Sequence, residues 1–210
     1  MEVYWYISST KVNMLKGASF KSRLREISVA IKPPWLEIGA TLQPEGDLLT
    51  ELRTVKHHLE SEVTIREFHD LPNDESPMVF SFSGQASRMS AENAYWVALQ
   101  SGNTKLLLVG SPVRAIGAAA TSPYGLSPSL DPLGAVEALF RGQANKQRQG
   151  PDICSSLDYV WKEVAQASLN TGMKTPKVDG LAIYAGAVDC DKVADTKRIV
   201  LGSPIYIRQI

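Results

Sequence analysis

The sequence predicts an α+β fold: a largely antiparallel β-sheet built from a duplicated strand–turn unit, with about three helices packed on one face. Three observations carry this. The first is a repeat: Thr104-Lys105-Leu106-Leu107-Leu108-Val109-Gly110-Ser111-Pro112-Val113 aligns without a gap on Thr196-Lys197-Arg198-Ile199-Val200-Leu201-Gly202-Ser203-Pro204-Ile205, with five identities and mostly aliphatic residues between them. The second is a series of short aromatic and β-branched runs, the composition that suits a pleated, half-buried surface. The third is helical spacing of apolar residues in two segments, beginning near Asp47 and Asp152.

Taken in order, Val3–Ser8 carries apolar residues on both faces and reads as a strand covered on both sides. Ser9 or Thr10 can cap a short helix that Gly17 stops. Ile27–Lys32 and Trp35–Leu42 alternate, and Pro33-Pro34 between them marks a bend or edge. From Asp47 to Glu60, Leu48, Leu52, Val55 and Leu59 form one apolar stripe, with Asp47 as N-cap. Val63–Phe68 suggests a short strand, and Leu71–Pro77 a polar loop. Met78–Ser83 and Ala94–Gln100 are strand-like, and Ser101-Gly102-Asn103 turns the chain into Lys105–Val109 as a β-hairpin.

Val113–Pro128 is irregular, rich in Ala, Gly, Ser and Pro. Asp131-Pro132 is an N-cap followed by proline at the first helical position, and that helix stops near Gly142. Gln143–Gly150 is a polar connector. A longer helix spans Asp152 to Asn170, with Ile153, Leu157, Val160, Trp161 and Val164 inward and Gly172 beyond its end. Leu181–Ala185 and Lys197–Leu201 form another strand pair, and Ile205–Arg208 a last strand. Val79–Gly84 resembles Leu181–Gly186, so the repeat extends to residues 78–113 and 181–205 within one α+β domain over 1–210. A duplicated unit and two strands recruited by similar turns both account for it.

Composition narrows the function. Lys plus Arg and Asp plus Glu balance at 22 each, so the electrostatic footprint of nucleic-acid or anionic-membrane binding is missing. No run approaches the roughly 20 apolar residues of a membrane helix, and the N-terminus lacks signal-peptide character. Cys154 and Cys190 lie far apart in unlike contexts; they can pair in principle, but two free thiols in a cytoplasmic protein is the simpler expectation.

Both chain ends carry short motifs: Tyr4-Trp5-Tyr6-Ile7-Ser8-Ser9-Thr10-Lys11-Val12-Asn13-Met14-Leu15 and Leu201-Gly202-Ser203-Pro204-Ile205-Tyr206-Ile207. With the aromatic strand Val79–Gly84 and the Gly110–Arg114 segment, they resemble an uncharacterised, mostly actinobacterial group of domains of unknown function. That group tends to an acidic residue where this chain has Ser9, so a role carried by such a carboxylate has no counterpart here. The resemblance implies no activity.

Each candidate for chemistry has an architectural rival. The Gly-Ser-Pro segments offer N–H groups and the hydroxyls of Ser111 and Ser203, with Arg114 and Arg208 as anion clamps; Gly and Pro are equally ordinary turn residues. Ser9 and Lys11 sit past the first strand, where Ser and Lys can act as nucleophile and base; helix capping explains the same residues. Tyr206 is a further candidate lining residue. His57, His58 and His69 lack metalloprotease spacing, so no metal is expected. Acidic neighbours make Cys190 a poor thiolate. The strand aromatics read as core. The leading expectation is a non-catalytic module binding a protein partner or small ligand, with homo-oligomerisation open. The alternative is a cyclase- or isomerase-type enzyme that uses a shaped pocket without metal or nucleotide cofactor.

Overall fold

The structure, a computed structural model, describes residues 2–15, 48–72, 79–91, 94–112, 135–136, 152–170, 175–191 and 193–210. Its strands are β1 (Val3–Ile7), β2 (Val79–Ala91), β3 (Ala94–Ser101), β4 (Thr104–Gly110), β5 (Lys177–Asp189) and β6 (Arg198–Gln209). Its helices are α1 (Ser9–Met14), α2 (Leu48–Glu62) and α3 (Ile153–Asn170), with a 3-10 turn at Phe68–Asp70. Several expected elements lie outside the described residues. These are Ile27–Lys32, Trp35–Leu42, the irregular Val113–Pro128, the Gln143–Gly150 connector, Asp47, Gly172 and all but Ala135 and Val136 of the Asp131–Gly142 helix.

The sheet runs β1-β6-β4-β3-β2-β5, and β5 also pairs with β6. That last pairing closes the largely antiparallel sheet into a barrel, which leaves no single face for the helices to share. All pairings are antiparallel except β4 with β6. Closure is possible because β2 changes partner midway: Val79–Gln85 lie along β5 and Ala86–Ala91 along β3. Gly84 stands at the switch with φ +151, a conformation that L side chains rarely adopt. The β3–β4 hairpin is as expected, with Ser101 opposite Thr104 and Gly102 in the left-handed region.

The helices do not share one face. One apolar cluster fills the barrel, including Phe80, Phe82, Tyr95, Leu106, Leu108 and Val200. A second packs α1 and α2, through Val12, Leu52, Val55 and Leu59, on Ile183, Ile205 and Tyr206. A third packs α3, through Leu157, Val160 and Val164, on Trp96, Leu107 and Leu201. A barrel has its whole outside to cover, so helices settle on separate patches. The α2 stripe is the expected one, and Asp152 caps α3 by accepting from Ser155 N–H at 2.8 Å. Ile153 instead points outward, and the α1 cap is Ser8, one residue before the expected pair, accepting from Lys11 N–H.

Phe68 and Leu71 belong to the interior cluster and fill the end of the barrel where β4 and β6 begin. The Arg198 guanidinium holds them there by donating to the carbonyls of Leu71 and, at 3.3 Å, Pro72. The expected strand at Val63–Phe68 is therefore absent, replaced by a single bridge between Glu67 and Ser81 and the 3-10 turn.

The two repeated segments pair in parallel, with Thr104 opposite Arg198 and Leu108 opposite Gly202. Only the first copy ends its strand. Gly202-Ser203-Pro204 lies inside β6, which runs unbroken through the expected turn and into the expected last strand. Ile205 is an extra residue against β5 there, and this bulge accommodates a proline that cannot donate. What the two glycines share is a ring. A Cβ on Gly110 would stand 2.7 Å from the Tyr6 ring, and one on Gly202 would stand 2.7 Å from the Phe80 ring. Gly202→Ala should therefore lower stability by about 1–3 kcal/mol through overpacking. Urea unfolding measures this; a change within about 0.5 kcal/mol would show that Phe80 yields freely.

Cys154 and Cys190 form a disulfide, with Cα atoms 5.7 Å apart, correcting the free-thiol expectation. The helix start and the residue after β5 meet only because α3 packs on the barrel. No helix among the described residues is long and apolar enough to cross a membrane.

Candidate functional site

Strand β6 has two successive neighbours on one side, β4 along Arg198–Gly202 and β1 along Tyr206–Gln209. Where one stops and the other starts, backbone carbonyls lose their ladder partners, and buried carbonyls need donors. Three expected site residues meet that need or frame it. The buried Lys11 ammonium donates to Ser203 Oγ at 2.5 Å and to the Pro204 carbonyl at 2.8 Å. Ser203 Oγ donates to the Val109 carbonyl at 3.1 Å, and Ser8 N–H donates to the Ile205 carbonyl at 2.9 Å. Ser9 opens α1, which carries Lys11 into the gap. A carbonyl can only accept, so the Ser203 proton points at Val109, away from Lys11. The pair is thus arranged as a clip between β1, β4 and β6, with Lys11 as donor instead of base.

Tyr206 and Arg208 lie farther along β6. Tyr206 is buried beneath α2, edge-on to Tyr4 at 6.2 Å, and burial followed by the Asp179 charge pushes its phenol up. Arg208 forks onto Asp179, Nε to Oδ1 at 2.9 Å and Nη2 to Oδ2 at 2.5 Å, and its Nη1 donates to Glu2 Oε1 at 2.7 Å. Its guanidinium therefore already holds two carboxylates. Arg114 lies outside the described residues. The two Gly-Ser-Pro segments do adjoin, through Ser203 and Val109, but Arg208 is turned to Asp179.

Ser111 belongs to a different constellation, at the end of the barrel where β4 finishes. Its N–H donates to the Tyr6 hydroxyl at 3.3 Å. Tyr6 stacks on Tyr95, centroids 5.9 Å apart and planes 12° from parallel. Trp5 lies beside them and donates from Nε1 to Gln209 Oε1 at 3.3 Å. The Arg88 guanidinium sits 4.4 Å over the Trp5 ring, an attractive cation–π placement. Among the described residues no carboxylate lies within ion-pair distance of Arg88.

Tyr95 is 5% exposed, and its hydroxyl has no hydrogen-bond partner among the described residues. Burial pushes its phenol up, opposed by the charge of Arg88 and by the hydrogen-bonding approach of its guanidinium, so at neutral pH it is a protonated donor. A buried hydroxyl left unpaired costs about 1–3 kcal/mol. A guanidinium close to a neutral phenol can receive an oxyanion; neither is a nucleophile or base at neutral pH.

Arg88 was not singled out in the sequence, and Tyr95 was read there only as a core aromatic. Phe80, Phe82, Ala86 and Arg88 fall on one face of β2, so continuing the strand period past Gly84 would have placed an arginine inward. The histidines lie elsewhere: His57 and His58 on α2, His69 beside Glu67 and Asp70 at 3.3 and 3.6 Å. Among the described residues there is no group of three or more side chains suited to a metal ion.

The chain belongs to a family of unknown function (DUF7019), whose model matches residues 2–210. No curated protein and no solved structure matches it.

Proposed function

We propose that the protein is a non-catalytic binding domain, acting in a bacterial cytoplasm, that takes a small oxyanion-bearing molecule at the barrel end lined by Trp5, Tyr6, Arg88 and Tyr95. One observation carries the reading: a half-buried guanidinium with no carboxylate partner among the described residues stands beside a buried hydroxyl with no partner. A carboxylate or phosphate would satisfy both, in surroundings where charge-assisted hydrogen bonds are the stronger kind. The reading calls for no cofactor, and the Lys11–Ser203 clip takes no part in it. In a reducing cytoplasm the Cys154–Cys190 bond would be labile, so its state in whole cells tests the location independently.

Calorimetric titration with a panel of small carboxylates and phosphates tests the binding. Arg88→Gln should weaken a binding member by about 10–100-fold, the value of a hydrogen bond to a charged group. Tyr95→Phe should weaken binding too while leaving the free protein as stable or more so, because it removes an unpaired buried hydroxyl. If no member binds, or Arg88→Gln binds as well as the parent, the reading is wrong.

A further inference from the structure

A cleft of about 60 Å³ lies between β1, β6 and α2, lined by Glu2, Tyr4, Leu52, Arg53, Lys56, Tyr206 and Arg208. The Glu2 carboxylate receives three groups in it: Arg208 Nη1 at 2.7 Å, the Tyr4 hydroxyl at 3.3 Å and Arg53 Nη2 at 3.5 Å. We propose that this cleft is an oxyanion site, distinct from the Arg88 end of the barrel, with the Glu2 carboxylate as its resident ligand.

The case rests on an asymmetry between host and guest. Arg208 is fixed: Asp179 on the neighbouring strand β5 grips its Nε and Nη2, leaving Nη1 aimed into the cleft. Its side chain is 24% exposed, whereas those of Glu2 and Arg53 are 41% and 69% exposed. Solvent screening makes contacts of the exposed kind weak. A preorganised donor thus faces a loosely held acceptor on a residue that precedes β1. Asp179 offsets the charge of Arg208, but Arg53 and Lys56 also line the cleft, and among the described residues Lys56 has only a long 3.8 Å contact with Glu60. With Glu2 withdrawn, three cationic side chains would border the space.

The volume suits the class of guest. It is a few waters in size, which is room for a carboxylate or phosphate group and not for a large body. Leu52 and the edge-on Tyr4–Tyr206 pair form an apolar boundary.

The test uses the whole chain with inorganic phosphate and acetate as probes, followed by NMR of the arginine side chains. Glu2→Gln removes the competing charge and should tighten phosphate binding at this cleft by at least about threefold over the parent. Adding Arg53→Gln and Lys56→Gln to Glu2→Gln should abolish that gain. Arg88→Gln should leave it unchanged, so failure at the barrel end and failure here are separable. Acetate should gain from Glu2→Gln in the same direction. The proposal is overturned if Glu2→Gln binds neither anion more tightly than the parent, or if the gain survives loss of Arg53 and Lys56. All these residues are partly exposed or flank the core, and matched thermal unfolding of each variant confirms that the fold is intact.

Discussion

Replacing Asp158 by alanine should destabilise the protein by about 3–5 kcal/mol, the range for removing one partner of a buried ion pair. Asp158, on α3, is 5% exposed, and its Oδ1 meets the Lys105 ammonium of β4 at 2.5 Å. Its Oδ2 meets Lys162, one helical turn on, at 2.7 Å. Lys105 also lies 4.6 Å over the Trp161 ring, and Trp161 Nε1 donates to the Leu99 carbonyl at 2.9 Å. Alanine at 158 leaves the ammonium buried in that apolar contact without its carboxylate. Replacing both partners with apolar residues, Lys105→Met with Asp158→Leu, should recover most of the loss, because no charge is then left buried. Urea unfolding of the two variants decides; a loss below about 1 kcal/mol for Asp158→Ala would mean that water reaches the pair.

The same pair predicts an acid limb. Burial pushes the Asp158 carboxyl up, but hydrogen bonds from Lys105 and Lys162 outweigh it and hold the group below its ordinary value. A carboxyl whose folded value is depressed contributes stability above its unfolded value, about 3.9, and loses it as pH falls through the folded one. Stability should therefore decline below about pH 4, and this contribution to the decline should vanish in the double apolar variant.

Reduction of the Cys154–Cys190 bond should lower stability by about 4 kcal/mol, the chain-entropy value for a loop of this length, the two cysteines being 36 residues apart. For a chain of this size that corresponds to a fall in Tm of about 8–16 °C. The bond spans α3, the connection after it and all of β5. Cutting it frees the unfolded chain more than it changes the folded one. The Cys154→Ala/Cys190→Ala protein should melt near the reduced parent and ignore reductant. Free thiols in a non-reducing digest, together with a reductant-insensitive parent Tm, would sink this expectation.

Local patterns were sufficient for local structure. The α2 stripe of Leu52, Val55 and Leu59, the Asp152 cap of α3 and the Ser101–Thr104 hairpin each follow from residues within a turn or two of one another. The burial of Tyr6, Phe80, Phe82 and Trp96 likewise follows from ring size and strand composition. Such features need no knowledge of what lies across the molecule.

The candidate site was much less legible, because its residues are ambiguous until their neighbours are known. Gly, Ser, Pro and Lys serve turns, anion loops and strand junctions with the same local chemistry. Lys11 and Ser203 were visible as residue types, yet their use as a clip depends on β4 ending where β1 begins along β6. Arg88 looked like an ordinary polar residue because the strand was expected to stop at Gly84, whereas β2 continues to Ala91.

The sequence by itself determined α2, α3 and the β3–β4 hairpin, since periodicity, capping and turn chemistry are written within a few residues. Only the tertiary structure decided that the sheet closes, that the repeated glycines make room for rings, that the cysteines meet, and that Arg88 stands beside Tyr95. Those outcomes depend on strand register and curvature, which are set by contacts between residues far apart in the chain, and no local pattern encodes them.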